Sequence, residues 1–246
     1  MRKAAKALFH RLGLGRPADQ LYAGSVRNYR KLRRALGSDR RAVKRYLAHH
    51  DCKKLHIGCG QTPIPGWLNT DYFPTVKGVL RLDATQPFPF QDNTFDFIFS
   101  EHMIEHVPYD KGLFMLRECF RVLRVGGVIR LSTPNLEFLI SLYNEGRSDL
   151  ESSYIDWAME GFNLDKNSPV SRPALVVNNF VRAWGHMFIY DDKTLSASMA
   201  RAGFVEIARC ELNASTHSGL QNLEHEQRLP PGFLKLETMT IEGTKR

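Results

Sequence analysis

Between residues 53 and 135 the chain repeats one pattern that few folds accept. Short apolar runs alternate with turns or with helical stretches. The run "FDFIFS" (95–100) is apolar almost throughout, which suits a strand covered on both faces. "KKLHIG" (53–58), "GWLNTD" (66–71), "GVLRLD" (78–83) and "VIRLSTPN" (128–135) read as its companions. Before the last of these, "YDKGLFMLRECFRVLRVGG" (109–127) has helical spacing and a stop at Gly126 and Gly127. Residues 136–145 begin another helix, and "DDKTLSASMARAGF" (191–204) is a helix with an Asp cap and a Gly stop. "VEIARCEL" (205–212) and "LKLETMTIEGTK" (234–245) supply the final strands. Such alternation predicts an α/β fold, with a mostly parallel seven-stranded sheet and helices on both faces.

Two segments break the pattern. Residues 146–189 mix polar turns with aromatics and read as an insertion beside the site, with a lid as one reading and a peripheral subdomain as the other. Residues 1–50 read as a basic helical arm, with 14 lysines and arginines against Asp19 and Asp39, whereas residues 51–246 are slightly acidic. Val43, Tyr46 and Leu47 have helical spacing within it. The arm suits a solvated helix pair packed on the domain. It also suits peripheral contact with an anionic membrane or a lipid-linked substrate, and less well RNA, because no aromatic residues interleave to mark a nucleic-acid groove. No run is long enough to span a membrane, and the N-terminus lacks a signal-peptide apolar core. Cys52, Cys59, Cys119 and Cys210 form no C-x-x-C pair. The expected location is cytoplasmic, with peripheral attachment to the inner membrane face as an option.

The glycines of "GCGQTP" follow the first strand, where open α/β sheets bind ligands. Gly58 and Gly60 permit backbone conformations and close approach that a side chain blocks. Asp71 ends the second strand and suits two ribose hydroxyls; Asp83 ends the third and suits an adenine amino group. A glycine pair alone is a weak signal, but its combination with an acid after each of the next two strands points to a nucleoside-bearing cofactor. A nicotinamide dinucleotide fits poorly. The third glycine of G-x-G-x-x-G is absent, and Asp71 comes 13 residues after Gly58 rather than the ~20 that motif wants.

In this order the residues resemble the class I S-adenosylmethionine-dependent methyltransferases of the group often labelled type 11, from about Lys53 to Asn135. "LHIGCG" is similar to their glycine motif and "LNTD" to their ribose-binding acid. "LDATQPFPFQDNTFDFIFSEHMIEHV" resembles their D-x(n)-PF-x-D-x-x-FD run and the EH pair after it. "ECFRVLRVGGVIRLSTPN" resembles the helix–GG–strand that follows, and the L-N-x-D form resembles a bacterial subgroup associated with cell-surface saccharide synthesis. The resemblance implies a Rossmann-like methyltransferase fold and S-adenosylmethionine as cofactor. It places that cofactor on His56, Gly58, Cys59, Gly60, Asp71, Asp83, Ala84, Ser100 and Glu101. Its implied reaction is O-methylation of a saccharide, a lipid-linked saccharide or another small molecule. An RNA or protein methyltransferase is the alternative enzyme, and a degenerate cofactor-binding module the alternative of another class. Two features depart from the family. His56 stands where an acid is frequent, and Pro63, Pro65 and Gly66 shorten the helix after the loop. A shortened helix weakens anion binding, which a pyrophosphate needs more than a methionine carboxylate does.

Methyl transfer is an in-line displacement, so the protein must align the acceptor and exclude water, and an oxygen acceptor also needs a base. His102, Glu105 and His106 of "SEHMIEHVPYD" are titratable candidates after the fourth strand, as is His186 of "WGHMFIYDD" at the end of the insertion. Each is equally a structural hydrogen-bonding group. "HMIEH" literally matches a zinc-protease pattern, but within this run no protease site or resident metal is expected. Some related O-methyltransferases hold a metal through E-x-x-E-H here, and His102 replaces the first of those glutamates. Trp157, Trp184, Phe188 and Tyr190 are candidates to stack on an acceptor or to fill a core, and Asn135 to face the acceptor or cap a helix.

Overall fold

The apolar runs pair as their alternation predicts. In the computed structural model, which describes residues 38–164 and 172–246, the chain divides into two units, Met1–Asp51 and Cys52–Arg246. The first contributes helix α1 (Ser38–His49), on which Val43, Tyr46 and Leu47 share a half-buried stripe and Tyr46 stacks on His50. The rest of the expected basic arm lies outside the described residues. Among the described residues no helix is long and apolar enough to cross a membrane.

The second unit is built on one sheet. Strand β1 (Lys54–Ile57) pairs in parallel with β2 (Leu68–Asp71) on one side and β4 (Phe95–Glu101) on the other. Outside these run β3 (Leu80–Arg81) and β5 (Leu123–Pro134), also parallel. The last strand, β7 (Thr238–Thr244), inserts antiparallel between β5 and β6 (Val205–Cys210), giving the order β3-β2-β1-β4-β5-β7-β6. Helix α2 (Tyr109–Val122) buries Leu113, Met115, Leu116 and Cys119 and lies against a helix over Asp192–Ala202. That helix is capped as expected, by Asp191 accepting from the Thr194 N–H and by Gly203 at φ 111°.

Several boundaries differ from the sequence reading, each for a local reason. Gly126 and Gly127 do not stop the helix. The helix ends at Val122 because Leu123 already pairs with Phe95, and the glycines bend β5, Gly126 at φ 77° donating its N–H to the Lys245 carbonyl. The expected third strand shrinks to Leu80–Arg81, and β2 begins only at Leu68 because Pro65 and Gly66 form a turn. Between β1 and β2 the shortened helix is absent altogether, and residues 58–67 form turns. The start of the last expected strand is instead a short helix, Phe233–Glu237, whose Phe233 and Leu234 are buried. The helix after β5 spans only Leu136–Ser141, with Asn135 as its cap.

The insertion is helical, with α4 (Asp149–Gly161) and α5 (Arg172–Arg182) following α3 (Leu136–Ser141). Its aromatics Tyr154 and Phe180 share a core with Phe138 and Phe233, against which Trp157 and Phe162 pack. Ser148 and Glu151 cap α4 reciprocally.

One buried ionic network anchors the chain that leads to the site. Arg130 of β5 is fully buried and donates to Glu224 Oε1 at 2.7 Å and to Glu242 Oε1 at 2.6 Å. Its remaining donors reach the carbonyls of Ala214 and Glu211, and Ser132 Oγ donates to Glu224 Oε1. Arg130→Met leaves two buried carboxylates without their cation, which costs about 3–5 kcal/mol. Urea unfolding of the variant measures this, and a loss under ~1 kcal/mol contradicts a structural role for the network.

Candidate active site

The glycine loop is shaped by two residues that the sheet brings beside it. Gly58 and Gly60 adopt φ 73° and 53°, in the left-handed region where L side chains are strained. A Cβ on Gly58 comes within 2.4 Å of Met103 Cγ, so only glycine fits there. Asp71, at the end of β2, accepts the Gly60 N–H at 3.0 Å and the Phe73 N–H at 2.6 Å, so its carboxylate holds the loop in place. Asp83 accepts from the N–H and hydroxyl of Thr85 through Oδ1, and Ala84 beside it is buried.

Asn69 links the loop to β1. Its Oδ1 accepts the Ile64 N–H and its Nδ2 donates to the carbonyls of Ile64 and Trp67, which fixes the amide's orientation. His56 Nδ1, 3.0 Å from that Oδ1, is therefore the protonated nitrogen, and Nε2 is the ring's acceptor. Burial pushes the His56 pKa down to about 4 against the opposing pull of the Asn69 hydrogen bond, and the imidazole is neutral at pH 7. Burial also raises the Cys59 thiol to about 12, which removes it as a nucleophile.

A cavity of about 470 Å³ opens over this loop. Six of the expected cofactor or catalytic residues line it: His56, Gly58, Cys59, Gly60, Glu101 and His102. Three more come from a segment to which the sequence reading gave no role, His225, Gln227 and Arg228. His225 donates its N–H to Glu101 Oε1 at 3.1 Å, and its Nδ1 lies 3.0 Å from Oε2. "LEHEQR" has no periodicity to betray it; only its charge and its place before the last strand could have drawn notice. Ser100 Oγ, buried at the end of β4, has no hydrogen-bond partner among the described residues. Asp71, Asp83, Ala84 and Ser100 stand outside the cavity wall.

The catalytic candidates gather around one carboxylate. The chain leaves β4 through His102, at φ 47°, and enters a 3₁₀ turn over Ile104–His106 that buries Glu105 completely. Glu105 Oε2 accepts from Thr133 Oγ1. Its Oε1 lies 3.3 Å from His102 Nδ1 and 4.0 Å from His106 Nε2, with no aligned hydrogen bond to either. Burial pushes this carboxyl up, but the proximity of His102, joined by the charge of His106, outweighs it and holds the pKa below the usual value. The insertion returns here: the N–H groups of Met187 and Phe188 both donate to the Glu105 carbonyl. His186 stands 4.9 Å from the His106 ring, its Nδ1 at 2.6 Å from the Phe180 carbonyl. Burial lowers the His186 pKa, against that hydrogen bond. Tyr190 is fully buried and Trp157 belongs to the insertion's core, whereas Trp184 is half exposed beside His186.

Residues 55–131 match the model of a family described as a methyltransferase domain. Among curated proteins nothing matches the chain. Many solved structures are similar to it, among them three of comparable coverage. One is described as an S-adenosylmethionine-dependent methyltransferase, possible histamine N-methyltransferase, from Thermotoga maritima (18% identity, 90% of this chain and 98% of that one, TM-score 0.47). Another is a possible exported protein from Bordetella parapertussis (13%, 87% and 68%, 0.47). The third is an S-adenosylmethionine-dependent methyltransferase from Archaeoglobus fulgidus (16%, 92% and 98%, 0.45). The matched domain lies on the strands that carry the glycine loop, so residues 55–131 form a methyltransferase domain. S-Adenosylmethionine is the cofactor that such a domain would hold. The residues present fit that group: the left-handed glycine at Gly60 leaves open space where a Cβ would be, and the cavity combines a carboxylate with a guanidinium.

His56 makes stability pH-dependent. In the unfolded chain it titrates near 6.5 and in the folded chain near 4. The contribution of its neutral form is complete above pH 6.5 and is lost as pH falls toward 4, by on the order of 3 kcal/mol. Urea midpoints at about pH 7.5 and 4.5 check this, and His56→Gln flattens the difference. An equal pH dependence in wild type and variant contradicts it.

Proposed function

We propose that the protein methylates an oxygen of a polar small molecule, with a saccharide or lipid-linked saccharide as the acceptor class. The observation that carries the reading is His186. With Nδ1–H engaged by the Phe180 carbonyl and the ring neutral, Nε2 is its proton acceptor. Beside it Trp184 is 50% exposed, with ring centroids 5.5 Å apart, and offers a flat apolar face of the kind that packs against a sugar ring.

The cofactor, when bound, supplies an electrophilic methyl group on a sulfonium. Asp71 holds the loop, and its carboxylate and that of Asp83 lie beyond the cavity wall, where they would meet the ribose and the adenine amino group of a cofactor extending past it. His56 is neutral and supplies no counter-charge for the methionine ammonium, so that role falls to Glu101. Arg228 supplies the positive charge for the methionine carboxylate. His102 lines the cavity and approaches Glu105, joining the cofactor end to the acceptor end.

Two sets of variants separate the roles. His186→Ala lowers methyl transfer to a panel of nucleotide sugars and lipid-linked saccharides, with cofactor affinity nearly unchanged. Glu101→Gln or Arg228→Ala weakens S-adenosylhomocysteine binding by about 1–3 kcal/mol, the scale of hydrogen bonds to charged groups. Full turnover in His186→Ala removes it as the base, and unchanged binding in both other variants removes the methionine assignment.

A further inference from the structure

We propose that Glu105, His106 and His186 form a binding site for a divalent first-row transition ion. One ligand atom from each lies within 4.8 Å of the other two. Around an ion with bonds of about 2.1 Å, donors stand roughly 3–4.2 Å apart, so small side-chain rotations close the set. Two features point to a ligand and not to chance proximity. Glu105 Oε1 is fully buried and makes no aligned hydrogen bond among the described residues, with His102 Nδ1 at 3.3 Å, although a buried carboxylate oxygen ordinarily has a partner. His186 donates Nδ1–H to a backbone carbonyl, the arrangement that orients a metal-bound imidazole and leaves Nε2 for the ion.

The donor set selects the ion. Two imidazoles and one carboxylate suit zinc, manganese, iron or cobalt better than magnesium or calcium, which prefer oxygen ligands. Three protein ligands leave positions open. The backbone supports the set, because the Met187 and Phe188 N–H groups fasten the insertion to the Glu105 carbonyl.

What the ion does there rests on the methyltransferase reading, whereas its binding does not. At the acceptor end it lowers the pKa of an acceptor hydroxyl, whose proton passes to solvent. The oxygen lone pair then forms the O–CH₃ bond as the C–S bond breaks, and the sulfonium leaves as a neutral thioether. In that case His186 acts as a ligand in place of a base.

The test uses untagged full-length protein, stripped with a chelator and titrated with Co²⁺, followed by visible absorption and by equilibrium dialysis. The expected result is saturable binding that is at least tenfold weaker in His106→Ala and in His186→Ala and unchanged in His217→Ala, a half-buried histidine outside the cluster. Thermal melting and S-adenosylhomocysteine titration establish that each variant is folded. Absence of binding, or equal binding in wild type and both cluster variants, overturns the metal site. If S-adenosylhomocysteine still binds in that case, the methyltransferase reading stands without it. Metal binding that follows the cluster supports the site even where no methyl transfer is found.

Discussion

A carboxylate sealed at the exit of the fourth strand organises the acceptor side of this protein. Glu105 is fully buried, and β5, the turn after β4 and the end of the insertion meet at it. Its carboxylate accepts from Thr133 of β5 and faces His102 and His106, and its backbone carbonyl accepts two N–H groups from the end of the insertion. A buried anion cannot be left without compensation. The left-handed turn at His102 and the return of the chain at His186 bring imidazoles to it from both sides.

The cofactor side depends on a different device. Segment 225–228 has no regular pairing to hold it over the glycine loop, yet it supplies part of the cavity wall. Arg130 fixes its start by gripping Glu224, and the Glu101 carboxylate fixes His225. A strand, a buried ion pair and a loop thus form one chain of support from the core of the sheet to the cavity. Glu237 adds a second support. It accepts from Tyr154 Oη of the insertion at 2.6 Å and precedes Thr238, whose hydroxyl lies 2.9 Å from His102 Nε2.

The sheet was legible because apolar runs such as "FDFIFS" have one economical use in an alternating chain. Gly58, Gly60 and Glu101 line the cavity because they follow strand ends on an open sheet, the positions the sequence marks for a ligand. What escaped has physical causes. Gly126 and Gly127 resemble a helix stop because the left-handed conformation that ends a helix also bends a strand. Residues 234–237 read as strand because a short apolar run lacks the length to show its period. Insertion residues 149–161 and 172–182 looked irregular because their aromatics are spread around helices that pack against one another. No local pattern could bring His225 and Arg228 to the glycine loop, or His186 to Glu105, since those meetings are set by the order of the strands.

The central claim is that the cavity over the glycine loop receives S-adenosylmethionine, and calorimetric titration tests it most directly. Purified protein is titrated with S-adenosylhomocysteine, with NAD in parallel. The account predicts saturable binding of S-adenosylhomocysteine and none of NAD. Binding of NAD, or of neither ligand, would contradict it.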